Sequence, residues 1–93
     1  MGELWFDAEA DAALTRLEDD PSRPTLLQAV REVLRQLEAD PGHKSVRTMR
    51  FQLPRLWCVR AVGDDEDWVI LWEPHPNVEG DVVVQYLGPA SFP

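Results

Sequence analysis

Residues 56–73, LWCVRAVGDDEDWVILWE, decide the fold that we expect for this chain. The two ends of the stretch, LWCVRAV and WVILW, are rich in the β-branched and aromatic residues that favour strands. Between them, residues 63–67 contain glycine and aspartate, which tolerate the backbone angles of tight turns. The stretch therefore predicts a β-hairpin with an acidic turn.

An isolated hairpin is only marginally stable in water, so this one needs a further strand or a helix against it. Residues 81–87, DVVVQYL, predict the further strand. A helix beginning near Pro24 and ending at the Asp-Pro-Gly of residues 40–42 is predicted upstream. Its apolar residues recur at the spacing of one helix face: Leu26, Val30, Val33, Leu34 and Leu37.

The rest of the chain adds three elements to this arrangement. Residues 3–7, ELWFD, predict an edge strand, and Asp7 is expected to cap an alanine-rich helix from Ala8 to Leu17. Residues 49–53, MRFQL, alternate apolar and polar side chains and predict one more strand. We therefore expect an α+β fold in one domain, residues 1–93, with two N-terminal helices packed on a small antiparallel sheet in the order β-α-α-β-β-β.

The net charge of −8 is unevenly distributed along the chain. Residues 1–43 carry −6, residues 44–60 carry +5 and residues 61–93 carry −7. Such an acidic chain is repelled by nucleic acid at long range, which argues against strong non-specific binding of nucleic acid. A basic segment can still bind locally, because salt screens the distant acids.

The composition gives little indication of a membrane, secreted, thiol-dependent or metal-binding protein. No apolar run has the length of a membrane span, and no leader sequence is visible, so we expect a cytoplasmic protein. The single cysteine, Cys58, is expected to be a buried apolar residue, with a reactive thiol as the alternative. The acidic run at residues 64–67 lacks the spacing of a calcium loop, and we expect neither a metal nor a cofactor.

Four segments, in order, resemble one known family. They are LWFDAEADAAL at the start, LRQLEADPGHKSV from Leu34, FQLPRLWCVRAVGDDEDWVILW from Phe51 and VVVQYLG from Val82. Together they resemble the RelE/ParE superfamily, the toxins of bacterial type II toxin–antitoxin systems, over nearly the whole chain. The resemblance implies a compact sheet wrapped by two helices, and an antitoxin protein as the partner.

For function, the resemblance implies ribosome-dependent cleavage of messenger RNA, or poisoning of DNA gyrase as in ParE-like members. RNA cleavage needs a base, an acid and cations around the scissile phosphate. The family carries two basic positions after an aromatic residue corresponding to Trp57; Arg60 matches one as a candidate catalytic residue, and Cys58 occupies the other. His43 and His75, both in predicted loops, are the remaining acid–base candidates, with an ordinary loop histidine as the alternative for each.

The main candidate binding surface is a basic band at residues 44–60. Its members could contact RNA phosphates or an acidic partner segment, or could simply neutralise acids elsewhere in the chain. Strand alternation places Arg60 on the same sheet face as Leu56, Cys58 and Val62, where it either forms part of a site or pairs with acids. The band consists of Lys44, Arg47, Arg50, Arg55 and Arg60.

Two classes of function remain at this stage. The first is a RelE/ParE-like toxin, and the second is a noncatalytic protein-interaction module on the same fold. An unrelated small α+β domain is a third possibility. The tryptophans do not decide between them. By their spacing we expect mostly core positions for Trp5, Trp57, Trp68 and Trp72, with stacking of an exposed one on nucleic-acid bases as the alternative. Exposed strand edges favour either strand addition by a partner or a homodimer.

Overall fold

The computed structural model describes residues 3–40, 49–51 and 56–90, and for residues 49–51 it describes the backbone alone. The elements follow the order β1 (Leu4–Phe6), α1 (Ala8–Glu18), α2 (Pro24–Ala39), β2 (Met49–Phe51), β3 (Leu56–Gly63), β4 (Glu66–Pro74) and β5 (Val82–Pro89). The predicted α+β class, with two N-terminal helices on one sheet, is confirmed. None of the described helices is long and apolar enough to cross a membrane.

The sheet has the strand order β1-β5-β4-β3-β2. Neighbours from β5 to β2 are antiparallel, as predicted, but β1 pairs with β5 in parallel, so the sheet is mixed. The predicted strand at residues 49–53 is present as β2, although residues 52 and 53 lie outside the described residues. β5 also continues past the predicted end at Leu87, because Trp68 of β4 still pairs with Pro89.

The main core lies between the helices and one face of the sheet. The predicted face of α2 is buried there: Leu26, Val30, Leu34 and Leu37 are all inaccessible or nearly so. β4 contributes Trp68, Ile70 and Trp72, as alternation predicts. α1 packs on β5 and α2 packs on β3, so each helix is held mainly by the sheet.

A smaller apolar cluster lies on the opposite face of the sheet, which we call the open face. It contains Leu56 and Cys58 from β3 and Val69 and Leu71 from β4, all buried. β4 is therefore buried on both faces, as a central strand should be. Beyond this cluster, Arg60 and Val62 on the same face of β3 are exposed, and Val62 is 56% accessible.

The β3–β4 turn is shorter than the sequence predicts. Gly63 pairs with Glu66, which leaves only Asp64 and Asp65 in the turn, both with positive φ angles of 50° and 63°. This is the geometry of a two-residue type I′ hairpin, whose twist matches that of the strands. Glu66 and Asp67, predicted to lie in the turn, belong to β4.

The same turn is packed against the first turn of α2. The backbone N–H of Leu26 donates a hydrogen bond of 2.9 Å to the Asp64 carboxylate, across 38 residues of sequence. A Cβ atom on Gly63 would lie 2.6 Å from the Leu26 nitrogen, so only glycine permits this approach. Arg23, which precedes the helix, adds an ion pair of 3.1 Å to Glu66. Asp64 thus caps a helix whose own N-cap residue makes no side-chain capping bond.

We predict that substitutions of Asp64 separate the capping bond from the turn conformation. Asp64→Asn keeps an acceptor and should stay within about 0.5 kcal/mol of the parent free energy of unfolding. Asp64→Gly suits the positive φ but loses the acceptor, and should cost about 1 kcal/mol. Asp64→Ala loses the acceptor and also tolerates the positive φ poorly. It should lower the free energy of unfolding by about 1 kcal/mol more than Asp64→Gly does. Urea unfolding measures all three, and equal stabilities of the Asn and Gly variants would contradict the capping role.

Candidate functional site

The predicted basic band is described only in part. Lys44, Arg47 and Arg55 lie outside the described residues, and so does His43. The backbone of Arg50 is placed on β2, where it pairs with Trp57. Arg60 is therefore the member of the band whose side chain the structure places.

Arg60 shares a sheet face with Leu56 and Cys58, as alternation predicts, and the structure shows that this is the open face. An acidic neighbour holds its side chain there. Its Nε donates to Asp67 at 3.1 Å and its Nη2 donates to the other oxygen of the same carboxylate at 2.6 Å. These hydrogen bonds raise the pKa of the guanidinium further above its ordinary value. Two nitrogens of the planar guanidinium thus bind the two oxygens of one carboxylate, which fixes the orientation of the Arg60 side chain. Of the two roles that the sequence left open for Arg60, the structure shows the ion pair.

His75 is far from Arg60. Arg60 pairs with Val69 on β4, and His75 follows that strand six residues later, which corresponds to roughly 20 Å along the strand. The Nδ1 atom of His75 accepts the backbone N–H groups of Asn77 and Val78 at 3.0 and 3.1 Å. These bonds order the loop after β4. Arg60 and His75 are too far apart to act on the same phosphate.

Cys58 and the acidic run have structural roles. The Cys58 side chain is buried in the open-face cluster, and burial raises the pKa of its thiol, which disfavours the reactive thiolate. Asp64 caps α2, Glu66 pairs with Arg23 and Asp67 pairs with Arg60. Among the described residues no group of three His, Cys, Asp or Glu side chains is arranged to hold a metal ion.

A first concave surface lies between β1 and α2, and we call it the β1 groove. Its volume is about 730 Å³. Leu4, Leu27 and Leu34 supply an apolar floor, and Pro24, at the start of α2, is also part of the lining. Arg31, Arg35 and Glu38 are polar residues in its lining. Both arginines are already paired on the helices, Arg31 with Glu18 and Arg35 with Glu32.

The outer edge of β1 borders this groove. Val82 donates to the Glu3 carbonyl and Asp7 donates to the Val84 carbonyl, so the odd-numbered residues of β1 face β5. The backbone N–H and C=O groups of Leu4 and Phe6 consequently point away from the sheet. No other described residue forms a hydrogen bond with these outward groups. Within the part of the chain that the structure describes, β1 is thus an edge strand whose outward hydrogen-bonding groups have no partner, and it lies beside an apolar groove.

Trp5 lies on this edge and is 46% exposed, contrary to its expected burial in the core. The reason is that Leu4 and Phe6 take the core side of β1, which turns Trp5 to the other face. Its indole N–H donates to Asp81 at 2.8 Å, and its ring lies 5.1 Å from the His75 ring. The indole bond, followed by the Glu3 N–H, lowers the pKa of the Asp81 carboxyl.

A second concave surface, the α1 cleft, lies between α1 and the end of β5. Its volume is about 650 Å³. One wall is formed by the small side chains of Ala10, Ala12 and Ala13. Its other apolar and aromatic lining residues are Leu17, Trp68, Tyr86, Leu87, Gly88 and Pro89. Four charged residues also line it: Glu9, Arg16, Asp20 and Arg23.

Two of those charged residues are fixed within the wall of the α1 cleft. Arg23 pairs with Asp20 at 3.3 Å, and its guanidinium lies 5.9 Å from the centre of the Trp68 ring. Hydrogen bonds from Ser22 lower the pKa of the Asp20 carboxyl. Arg16 is exposed, and no described residue forms an ion pair with it.

Sequence reasoning did not identify either concave surface. The β1 groove needs the parallel pairing of β1 with β5, which brings together residues nearly 80 positions apart, as in the 78-residue separation of Glu3 and Asp81. The α1 cleft depends on which side of α1 faces β5. One local feature pointed to the cleft, namely the alanine-rich composition of α1. We interpreted it only as helix propensity, but the small side chains also leave space between α1 and β5.

Comparison with known protein families found no matching family model, and neither curated proteins nor solved structures showed a significant similarity to the chain. The fold defines a small α+β protein with a mixed sheet. The features that bear on its function are the two concave surfaces and the contacts of Arg60 and His75.

We predict that Trp5→Phe raises the pKa of Asp81 toward its ordinary value, because the indole donor is its principal stabilising contact. The pKa of Asp81 is lower in the folded state than in the unfolded state, so its ionised carboxylate stabilises the fold when the pH is above the unfolded-state pKa. This stabilisation is lost as the pH falls through the folded-state pKa. Carbon-detected NMR titration below about pH 5 measures the carboxyl directly. Ser22→Ala is the control, because it alters Asp20 and should leave Asp81 unchanged. An unchanged Asp81 titration in Trp5→Phe would contradict the assignment.

Proposed function

We propose that this protein is a noncatalytic protein-binding module that takes an extended segment of a partner protein along the outer edge of β1. The observation that supports this proposal is the set of outward backbone groups of Leu4 and Phe6 beside the apolar β1 groove. A bound segment would continue the sheet and satisfy these groups. Exposed edges of this kind are usually blocked in proteins that do not use them.

The β1 groove fits the side chains of such a segment. In an added strand, alternate side chains point to the same face. Those on the helix side would meet the apolar floor formed by Leu4, Leu27 and Leu34. Those on the other side would lie near the exposed ring of Trp5. Backbone pairing would then provide affinity, and the alternating apolar side chains would provide specificity.

Charge favours a basic partner segment. Glu3 and Asp7, at the two ends of β1, are exposed, and Asp81 lies against Trp5. The chain as a whole carries −8, which steers a basic partner toward it and repels a second copy. We therefore expect an extended segment in which apolar residues alternate with lysine or arginine. An antitoxin with such a segment would be a partner of this kind.

The states of Arg60 and His75, the two predicted catalytic candidates that the structure describes, support a noncatalytic role. The charge of Arg60 is neutralised by Asp67, and Arg60 is separated from His75 by most of the length of β4. Cleavage of RNA requires cations and an acid–base pair around one phosphate. Among the described residues, Arg60 and His75 do not form such a group.

Peptide binding tests the proposal. The probe is an eight-residue peptide of alternating valine and lysine, with a valine–glutamate peptide for comparison. We expect the lysine peptide alone to bind, to shift the NMR signals of the Leu4 and Phe6 amides, and to slow their hydrogen exchange. A generic repeat of two residues lacks the specific side chains of a natural partner, so its affinity is expected to be weak, about millimolar to high micromolar.

Two lysine substitutions separate groove binding from general charge effects. Leu27→Lys adds a cation to the groove floor and should abolish binding, because it repels the basic peptide and interrupts the apolar contact. Val62→Lys adds the same charge at an exposed position on the open face and should leave binding nearly unchanged. Equal binding to both variants, or equal binding of both peptides, would contradict the proposed surface.

A cytoplasmic RelE/ParE-like toxin, acting on translation or on gyrase, is our second candidate function. The order of helices and strands, which is the order on which the resemblance rests, favours it. We predict that such a toxin would arrest growth when induced alone in a sensitive bacterial host. Arg60→Ala would relieve the arrest if Arg60 has a catalytic role, whereas Arg35→Ala, which breaks an exposed ion pair on α2, would not. The absence of arrest despite soluble, folded protein would favour the binding module.

A further inference from the structure

We propose that the α1 cleft is a binding site for a small monoanionic carboxylate with an apolar body. This site goes beyond the proposed protein-binding function and uses different residues. The β1 groove is lined by β1 and α2, whereas the cleft is lined by α1, the segment after it and the end of β5. Each site can therefore be tested without the other.

Small side chains create the space for this ligand. α1 presents Ala10, Ala12 and Ala13 toward the end of β5, where larger residues would fill the gap. The resulting volume of about 650 Å³ lies within the usual range of small-molecule sites. Leu17 and Leu87 form a buried base, and the accessible apolar surface comes from Ala12, Ala13 and Pro89. An aliphatic or aromatic ligand body would bury this surface and lose its own contact with water.

Arg16 supplies the anchor for the carboxylate. Every other arginine whose side chain the structure describes is ion-paired: Arg23, Arg31, Arg35 and Arg60. Arg16 is the exception in a chain where acids outnumber lysine and arginine by 17 to 9. A guanidinium beside apolar walls binds a carboxylate through two parallel hydrogen bonds. Among the described residues of the cleft, Arg16 is therefore the cation without an ion pair, and it lies beside an apolar surface.

The other charges limit the ligand to one negative charge. Arg23 is already committed to Asp20 and Glu66, so it does not add a second anchor. Glu9 lies in the cleft lining, and the whole chain carries −8, so a dianionic phosphate would be repelled. A monocarboxylate requires only Arg16. These charges distinguish fatty or aromatic carboxylates from phosphorylated metabolites.

Titration of the full chain with octanoate tests the proposal, with octylamine and octyl phosphate as comparison ligands. We expect octanoate to bind, to shift the NMR signals of Ala12, Ala13 and Arg16, and to change the fluorescence of Trp68, which lines the cleft. At about pH 8, where octylamine is a cation and octyl phosphate is mostly a dianion, both should bind at least about tenfold more weakly than octanoate. Equal binding of octylamine would overturn the proposal, since it would show that apolar contact alone is recognised.

Matched arginine variants test the anchor. Arg16→Leu removes the cation, keeps a good helix-forming residue and should weaken octanoate binding about tenfold or more. Arg16→Lys should retain part of the affinity, because the charge remains without the forked geometry. Arg35→Leu removes the same charge from α2, outside the cleft, and should have no effect. Equal affinities of the Arg16→Leu and Arg35→Leu variants, or octanoate shifts confined to the β1 groove, would overturn the proposal.

Discussion

The contact between the β3–β4 turn and the first turn of α2 is the constraint on which the rest of the structure depends. The first N–H groups of a helix have no partner within it, and here the carboxylate of Asp64 accepts the N–H of Leu26. The absence of a side chain at Gly63 lets the two backbones meet, and the Arg23–Glu66 ion pair lies beside them. The hairpin is therefore joined to α2 by polar contacts as well as by its apolar face.

This contact helps to position both concave surfaces. α2 begins at the β3–β4 turn and packs along β3, and its residues form the wall of the β1 groove opposite Leu4. The residues that connect α1 to α2 are fixed by the same turn, since Arg23 pairs with Glu66 and with Asp20. Asp20 and Arg23 line the α1 cleft. The contact between the β3–β4 turn and α2 thus supports two surfaces that we expect to bind different classes of ligand.

Elements determined by neighbouring residues were predictable from the sequence, and contacts between distant residues were not. The buried face of α2 and the hairpin follow from local periodicity. The parallel pairing of β1 with β5 could not be derived from local periodicity, because it joins the two ends of the chain. Alternation identified the residues that share a sheet face with Arg60, but neither which face is open nor Asp67 as the partner of Arg60. The spacing of Trp5 incorrectly predicted that it is buried. The acidic run at residues 64–67 predicted a turn. Its separate contacts with α2, Arg23 and Arg60 could be identified only from the tertiary structure.

Native-state hydrogen exchange of the Leu26 amide tests this account most directly. An N–H in the first turn of a helix normally exchanges through local fraying. If Asp64 holds it in the folded state, the Leu26 amide should exchange with an opening free energy close to that of amides in the centre of β4. The Thr25 amide, one residue earlier and without a partner among the described residues, should exchange rapidly. Exchange of Leu26 as fast as that of Thr25 would contradict the claim that the hairpin turn anchors α2.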